Sequence, residues 1–404
     1  MKKLICLLLI LTFALPLVGC EISRSYINGA NLKDFKIVYS ENDLDYAKRA
    51  AKYIQSEILE RTGLKLPIVK DGEADSSKYE IVVGNTNRDI STKLDAKTEG
   101  LEFAILADGG SVALEGDYFI IAAAAYFFIE NYVPIKDFDA KIPTETKVYQ
   151  PIVKEAKNYI MLIGDGMGVY QTKLFEYMEN NVEYGDGEDV FYGYYLPYMG
   201  YSRTQSLSGV TDSAAGGTAL ACGYKTINEY IGRDKDKNDI KSLTELAIEL
   251  GMSGGVMSTE TSTGATPASF SAHAYDRDNS LEIRTCQALA KKNLGMQINC
   301  GYNYYTSNQL KDIEMNIEDM LNTLDNNEKG FFLMYEEAYI DKHSHDNNID
   351  KALEAVVRFN QAIGRFMEFA FYNPNTFVLI TADHETGGLA PNENGVFKIG
   401  RAHV

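Results

Sequence analysis

The chain has 404 residues, of which 45% are hydrophobic, so it can bury a large core and is long enough for about two domains. That composition excludes an intrinsically disordered protein. Acidic residues outnumber lysine and arginine by 57 to 39, and the net charge of −18 argues against a nucleic-acid partner, which would need a basic face. An anionic ligand would bind such a chain only where metal ions or a buried arginine make the protein locally positive.

The N-terminus has the pattern of a bacterial export signal. Lys2 and Lys3 precede an apolar run, 4–18, that is too short to span a bilayer. The run ends in Leu17-Val18-Gly19-Cys20. This segment resembles a lipobox, in which Cys20 would be lipidated and become the first residue of the mature chain. We therefore expect residues 1–20 to be a lipoprotein signal peptide. The protein would be exported and lipid-anchored to the bacterial cell membrane, facing the periplasm or the exterior; an ordinary signal peptide is the alternative.

Residues 21–135 have the pattern of a small α+β domain. Apolar residues spaced by three and four predict a helix over 43–62, begun by Asn42 or Asp43 and ended by Gly63. The order of elements is similar to the accessory domain that precedes the catalytic domain in some glycoside hydrolases, so a bound glycan and a spacer without ligand both stay open. The other predicted elements are strands at 36–39, 65–69, 80–83, 101–106 and 111–115, a hairpin turn at 108–110 and a helix at 118–132.

Residues 136–157, with prolines among mixed charges, are predicted to link this domain to a second one that begins at residue 158. The apolar run 159–163 then predicts a buried strand. Asp165 would lie in the glycine-rich turn at its carboxyl end, where open α/β sheets bind ligands. Glycines often only terminate a strand, so this turn is weak evidence for a metal ligand by itself.

Ser213 precedes a run of small residues, 214–219, that predicts a tightly packed helix or a close turn. A serine at a helix N-terminus lies beside the positive end of the helix dipole and near backbone amides, which suits an anionic ligand. Simple N-capping would explain the Asp212-Ser213 pair equally well, so the assignment of Ser213 as a nucleophile needs partners.

Acidic and histidine residues follow two further apolar runs. Glu336 ends the run 331–335, and Asp341 and His345, four residues apart, would lie on one side of a helical turn. Asp383 and His384 end the run 377–382. Because the three strands would bring these side chains to one edge of a sheet, the sequence predicts a metal or catalytic site there.

These motifs, in this order, resemble those of the alkaline phosphatase family. The resemblance implies a doubly wound α/β/α sandwich, residues 158–404, behind the small α+β domain. It also implies a hydrolase that cleaves phosphate monoesters through a phosphoserine intermediate. The similar segments lie within residues 158–398: Gly-Asp-Gly-Met-Gly around Asp165, Thr-Asp-Ser-Ala-Ala around Ser213, Ala-Thr-Pro-Ala around Thr266, Glu336, Ile-Asp-Lys before His345, and Thr-Ala-Asp-His-Glu-Thr-Gly-Gly around Asp383.

The resemblance further implies two zinc ions and one magnesium ion. Arg277 would clamp two phosphate oxygens, a task for which a guanidinium is better shaped than an ammonium. Gly264 departs from the family, whose members usually have Asp or His there, so the metal preference of the magnesium site is open. His273 is expected to be a packed structural residue. The implied ligand sets are Asp165, Asp383, His384 and Ser213 for one zinc, Asp341 and His345 for the other, and Asp165, Thr266 and Glu336 for magnesium.

The C-terminus leaves one zinc ligand undecided. The family has a third ligand, a histidine, on the zinc of Asp341 and His345, and His403 lies where a short member could place it. Residues 399–404 also match one reading frame of a common sequencing adapter. We therefore expect a gene interrupted near Lys398 and a catalytic domain truncated there.

Other functions stay open. A phosphodiesterase of the same superfamily would tend to use threonine in place of Ser213, and a sulfatase would need a proline-arginine motif that residues 213–217 lack. A surface glycan-binding lipoprotein with an inactive catalytic half is the alternative from a different class. The sequence also leaves open a homodimer and a disulfide between Cys286 and Cys300.

Overall fold

The computed structural model describes residues 24–41, 45–94, 98–135, 137–179, 190–301, 309–391 and 397–398. The two largest β-sheets of these residues have six and five strands, and smaller sheets of three and two strands accompany them. The lipidation candidate Cys20, the helix-start candidates Asn42 and Asp43, and the zinc-ligand candidate His403 lie outside the described residues.

The N-terminal region forms an α+β domain. Its six-stranded sheet has the order β4-β3-β5-β7-β6-β9, parallel from β4 to β7 and antiparallel at β6 and β9. The elements are β1 (Ser25–Ile27), β2 (Ala30–Asn31), β3 (Lys36–Tyr39), α1 (Tyr46–Thr62), β4 (Ile68–Lys70), β5 (Glu80–Val83), α2 (Asp89–Lys93), β6 (Phe103–Asp108), β7 (Ser111–Glu115), α3 (Ile120–Tyr132), β8 (Phe138–Ala140) and β9 (Lys147–Tyr149).

Helix α1 and the β6–β7 hairpin follow their sequence signals closely. Gly63 ends α1 with φ 76°, and its N–H donates to the carbonyl of Leu59, as a C-terminal glycine should. Asp108 pairs with Ser111 across the turn, where Gly109 and Gly110 have φ 61° and 105°. These positive φ values explain the glycine pair.

The segment 136–157, expected to be a linker, instead contributes β8 and β9 to the N-terminal sheets. Strand β8 pairs with β1, and β9 pairs with β6. Tyr149 of β9 stacks on Phe103, with ring centroids 5.8 Å apart, and packs against Phe127. Partners distant in sequence hold these short strands, so local proline and charge content did not reveal them.

The C-terminal region contains a parallel sheet of order β12-β11-β13-β10-β14. Its elements are β10 (Asn158–Gly164), α4 (Val169–Glu179), α5 (Ser213–Cys222), α6 (Leu243–Glu249), β11 (Ser253–Ser258), α7 (Ala265–Ser269), α8 (Ser280–Leu294), β12 (Gln297–Cys300), α9 (Gln309–Leu324), β13 (Phe331–Glu337), α10 (Tyr339–His345), α11 (Ile349–Tyr372), β14 (Thr376–Thr381), β15 (Ala390–Pro391) and β16 (Phe397–Lys398).

Helices cover both faces of the parallel sheet. Alternate residues of β13 separate the two faces: Leu333 and Tyr335 pack in the core with α9 and α11, whereas Phe332 and Met334 pack with α5, α6 and α8. This arrangement confirms the doubly wound α/β/α sandwich predicted for the region.

Helix α11 packs on both domains. Tyr372 at its end stacks on Tyr53 of α1, with centroids 4.3 Å apart. The buried Glu368 accepts hydrogen bonds of 2.9 Å from Arg49 Nε to both carboxylate oxygens, and it also pairs with Arg365. A single hydrophobic core therefore runs from the N-terminal sheet through α1, α3 and α11 to the parallel sheet.

Candidate active site

Three neighbouring strands bring acidic residues to one edge of the parallel sheet. Asp165 follows β10, Glu336 lies near the end of β13, and Asp383 follows β14. In the register of the sheet, Ile163 of β10 lies opposite Glu336 on one side and Thr381 on the other. The shared edge at the carboxyl ends of parallel strands is the reason these carboxylates meet.

Three predicted residues, His384, Asp165 and Asp383, lie close to Ser213. Its Oγ lies 3.0 Å from His384 Nε2, and the same nitrogen lies 3.6 Å from Asp165 Oδ1 and 3.3 Å from Asp383 Oδ2. Donors of a tetrahedral zinc ion with bonds of about 2.0–2.1 Å are about 3.3 Å from one another. These separations therefore fit a zinc ion held by Ser213, His384, Asp165 and Asp383.

Asp212, and not Ser213, caps helix α5. The Asp212 Oδ1 atom accepts a 2.9 Å hydrogen bond from the amide of Ala215, which leaves the Ser213 hydroxyl to contact His384. The small residues of α5 are needed for close packing: a Cβ on Gly216 would lie 3.1 Å from the Asp383 carbonyl oxygen, and one on Gly217 would lie 3.2 Å from Thr266 Cα. The capping alternative left open by the sequence therefore applies to Asp212.

Asp341 and His345 form a second group on α10. Asp341 Oδ1 lies 3.4 Å from His345 Nε2, as the four-residue spacing predicts. Thr386 connects this group to the first, because its hydroxyl donates to Asp341 Oδ1 at 2.5 Å and lies 3.1 Å from His384 Nδ1. The structure thus places Asp341 and His345, the two ligands predicted for a second zinc, next to the group around Ser213.

A third group consists of Asp165, Glu336 and Glu260. One carboxylate oxygen from each lies within 4.8 Å of the others. Thr266, in the short helix α7, is fully buried. Its hydroxyl lies close enough to Glu336 to oppose the rise that burial causes in the Glu336 pKa. The predicted magnesium ligands Asp165, Thr266 and Glu336 therefore lie together, and Glu260 is an addition that the sequence analysis did not identify.

The carboxylates of these groups lie close together, and Lys342, which pairs with Glu260, balances their charge only in part. Oδ1 of Asp165, Oδ2 of Asp383 and Oε1 of Glu336 have no hydrogen-bond partner among the described residues. Burial, reinforced by the neighbouring carboxylates, holds the pKa of Asp165 well above its usual range, and burial together with Glu260 does the same to the pKa of Glu336. Divalent cations would remove this penalty, so the donor set fits metal ions.

A cavity of about 460 Å³ opens above the Ser213 hydroxyl. Arg277 lines it, and its Nη1 donates to Asp212 Oδ2 at 3.2 Å. The Asp212 carboxylate also accepts a hydrogen bond from the amide of Glu229, so it is held firmly enough to orient the guanidinium. The residues that line the cavity are Thr204, Gln205, Gly209, Val210, Thr211, Asp212, Ser213, Arg277, Asp341, His345, His384, Glu385 and Thr386.

Three site residues were missed from the sequence: Asp212, Glu260 and Thr386. Asp212 and Thr386 lie inside motifs that were recognised, but their contacts depend on residues distant in the chain. Glu260 lies two residues beyond β11, and an acidic residue after a predicted strand is a signal that could have identified it.

His273 is a packed structural residue, as predicted. Its Nδ1 lies 2.8 Å from the Gly232 carbonyl oxygen, and its Nε2 lies 3.1 Å from Glu245 Oε1. Burial lowers the pKa of His273, but Glu245 and the Gly232 carbonyl raise it by a larger amount, so the pKa is shifted upward overall. Cys222, Cys286 and Cys300 are all free thiols, so the Cys286–Cys300 disulfide is not formed.

Comparison with known proteins agrees with this geometry. Alkaline phosphatases 3 and 4 of Bacillus subtilis are each 32% identical to the chain, over 60% of its length and 64% of theirs, so the chain spans slightly less than two thirds of these relatives. The alkaline phosphatase of the Antarctic bacterium TAB5 superposes with a TM-score of 0.52 and 26% identity, over 62% of this chain and 85% of that one. The alkaline phosphatase family model matches residues 156–299 and 293–403, which is more than half of the chain. The chain therefore belongs to the alkaline phosphatase family.

Proposed function

We propose that the protein is a metal-dependent phosphate monoester hydrolase that acts through a phosphoserine intermediate on Ser213. The observation that carries this proposal is the position of the Ser213 Oγ atom. It lies at the N-terminus of α5, 3.0 Å from His384 Nε2, in the same cavity as Arg277. A nucleophile, metal-binding donors and a cation for phosphate are the parts that phosphoryl transfer needs.

The proposed cofactors are two zinc ions and one magnesium ion. One zinc would be held by Asp165, Asp383, His384 and Ser213, the other by Asp341 and His345 with a further ligand, and magnesium by Asp165, Thr266 and Glu336. When bound, these cations would lower the pKa of the serine hydroxyl and neutralise the leaving oxygen. A TAB5 variant similar to this chain, with a TM-score of 0.51 and 26% identity, was solved with bound magnesium, which supports a magnesium site.

The chain's own residues divide the reaction as follows. The Ser213 oxygen loses its proton to solvent and attacks phosphorus, so that an Oγ–P bond forms while the ester P–O bond breaks. The departing alkoxide takes a proton from water and leaves as an alcohol. Water then cleaves the Oγ–P bond, which restores Ser213 and releases inorganic phosphate. Arg277, oriented by Asp212, holds two phosphate oxygens through both steps.

We propose that the protein is exported and lipid-anchored through Cys20. The signal-like residues 1–20 support this location, and none of the helices in the described part of the chain is long and apolar enough to cross a bilayer. A homodimer, and a glycan bound to the N-terminal domain, stay predictions from the sequence.

The test is hydrolysis of p-nitrophenyl phosphate and of its bis ester by protein loaded with Zn²⁺ and Mg²⁺. Ser213→Ala should abolish turnover and remove an acid-stable phosphoenzyme labelled with ³²P. Ser280→Ala is the matched control, because Ser280 is also the first residue of a helix capped by its predecessor, Asn279. Faster cleavage of the bis ester, or full activity in Ser213→Ala, would refute the proposal.

A further inference from the structure

Gly264 and Glu260 occupy a single space in the fold. An ideal Cβ on Gly264 would lie 1.8 Å from Glu260 Oε1 and 2.0 Å from its carboxylate carbon. The backbone of Gly264, with φ −56° and ψ 154°, is open to any residue. In its present position the Glu260 side chain leaves no space for a Cβ at residue 264, whereas the backbone conformation itself would accept one.

The Glu260 carboxylate, which fills this space, faces Asp165 and Glu336. One oxygen from each of the three carboxylates lies within 4.8 Å of the others. The only positive charge that the described residues place against Glu260 is Lys342, whose Nζ lies 2.6 Å from Oε2. Three carboxylates facing one ammonium leave a local deficit of positive charge.

Two oxygen atoms of this group are available to bind a cation. Asp165 and Glu336 are both more than nine-tenths buried. Oδ1 of Asp165 and Oε1 of Glu336 have no hydrogen-bond partner among the described residues. An oxygen that is buried and unpaired is costly unless a cation or water satisfies it. Magnesium, a hard ion that prefers oxygen ligands, suits such a set.

We propose that Glu260 supplies the third carboxylate of the magnesium site, in the place that a side chain at position 264 would otherwise occupy. The inference rests on the proposed function, because it assigns a ligand-sphere residue to that same site. The carboxylate comes from the loop after β11, four residues before Gly264. The extra carboxylate favours magnesium over zinc.

The experiment is Mg²⁺ binding, measured by titration calorimetry and by metal content after dialysis, on the whole chain. Glu260→Gln should weaken Mg²⁺ binding by about 10- to 100-fold, the usual effect of removing a supporting group at a metal site. Glu249→Gln is the matched control, since Glu249 also pairs with a lysine, Lys241, but lies on α6. That variant should bind Mg²⁺ like the unmodified protein.

A rescue variant separates this role from simple destabilisation. Glu260→Ala combined with Gly264→Asp should bind Mg²⁺ more tightly than Glu260→Ala alone, because removing the Glu260 carboxylate frees the space for Asp. Binding within twofold of the unmodified protein in Glu260→Gln, no rescue in the double variant, or no Mg²⁺ binding by the unmodified protein would each overturn the inference. Because the readout is binding and not turnover, a failure of the phosphatase proposal would appear separately, in the p-nitrophenyl phosphate assay.

Discussion

Replacement of Arg277 offers a quantitative test of how the cavity would recognise phosphate. The guanidinium is one-third exposed, 33%, and one of its nitrogens is engaged by Asp212 at 3.2 Å, so its remaining N–H groups can face the cavity. Two charge-assisted hydrogen bonds of about 1.5 kcal/mol each, the low end of their range because of this exposure, sum to about 3 kcal/mol. Arg277→Ala should therefore reduce kcat/KM for p-nitrophenyl phosphate by about 100-fold.

Conservative variants sharpen this prediction. Arg277→Lys keeps the charge but loses the fork, so we expect about a tenfold loss. Inhibition by inorganic phosphate should weaken in parallel, because product and substrate share the same oxygens. Arg284→Ala, which removes an exposed arginine of α8, is the control. If Arg277→Ala stays within threefold of the unmodified protein in both kcat/KM and phosphate inhibition, the assignment of Arg277 as a phosphate clamp is wrong.

Three further predictions concern stability. Arg49→Ala should lower the free energy of unfolding by about 2–3 kcal/mol near pH 8, because the buried Glu368 keeps only one cationic partner. Burial raises the pKa of Glu368, and Arg49 opposes this shift. The loss of unfolding free energy in Arg49→Ala should therefore grow as pH rises through the folded pKa of Glu368 and be smaller at pH 5. Urea unfolding that gives equal losses at pH 5 and pH 8 would contradict this. His273→Gln should destabilise the protein more at pH 6 than at pH 9. The pKa of His273 is raised in the folded state, so protonated His273 stabilises the fold below its unfolded pKa, and this contribution is lost as pH rises. Equal shifts of the melting temperature at the two pH values would argue against it. Chelation by EDTA should lower the melting temperature, with recovery after Zn²⁺ and Mg²⁺ are restored, since Asp165 and its neighbours then face one another uncompensated; an unchanged melting curve would exclude a metal role in stability.

For side chains that follow a strand, the sequence predicted correctly which of them lie together. Asp165, Glu336 and Asp383 each stand at or near the end of an apolar run, and parallel strands must bring such ends to a common edge. The four-residue spacing of Asp341 and His345 likewise fixed their proximity on α10. Local patterns are enough when backbone geometry alone determines where side chains meet.

Contacts made by loops and short strands were beyond the same reasoning. Glu260 enters the site only because Gly264 leaves it space, a relation that needs both positions in three dimensions. Strands β8 and β9 are short and find their partners more than 40 or 100 residues away in sequence, as Val148 with Ala104 and Phe138 with Ser25. No hydrophobic period marks such pairings, and so residues 136–157 were expected to be a linker.

The shared packing of α11 has a consequence for modularity. Because Tyr372 and Glu368 of this helix are covered by α1, removal of the N-terminal part would expose apolar rings and a buried carboxylate to solvent. The two halves are therefore poor candidates for exchange as independent cassettes. A protease that nicks the connecting residues should leave both fragments associated, held by the interlocked aromatic and ionic contacts along one helix.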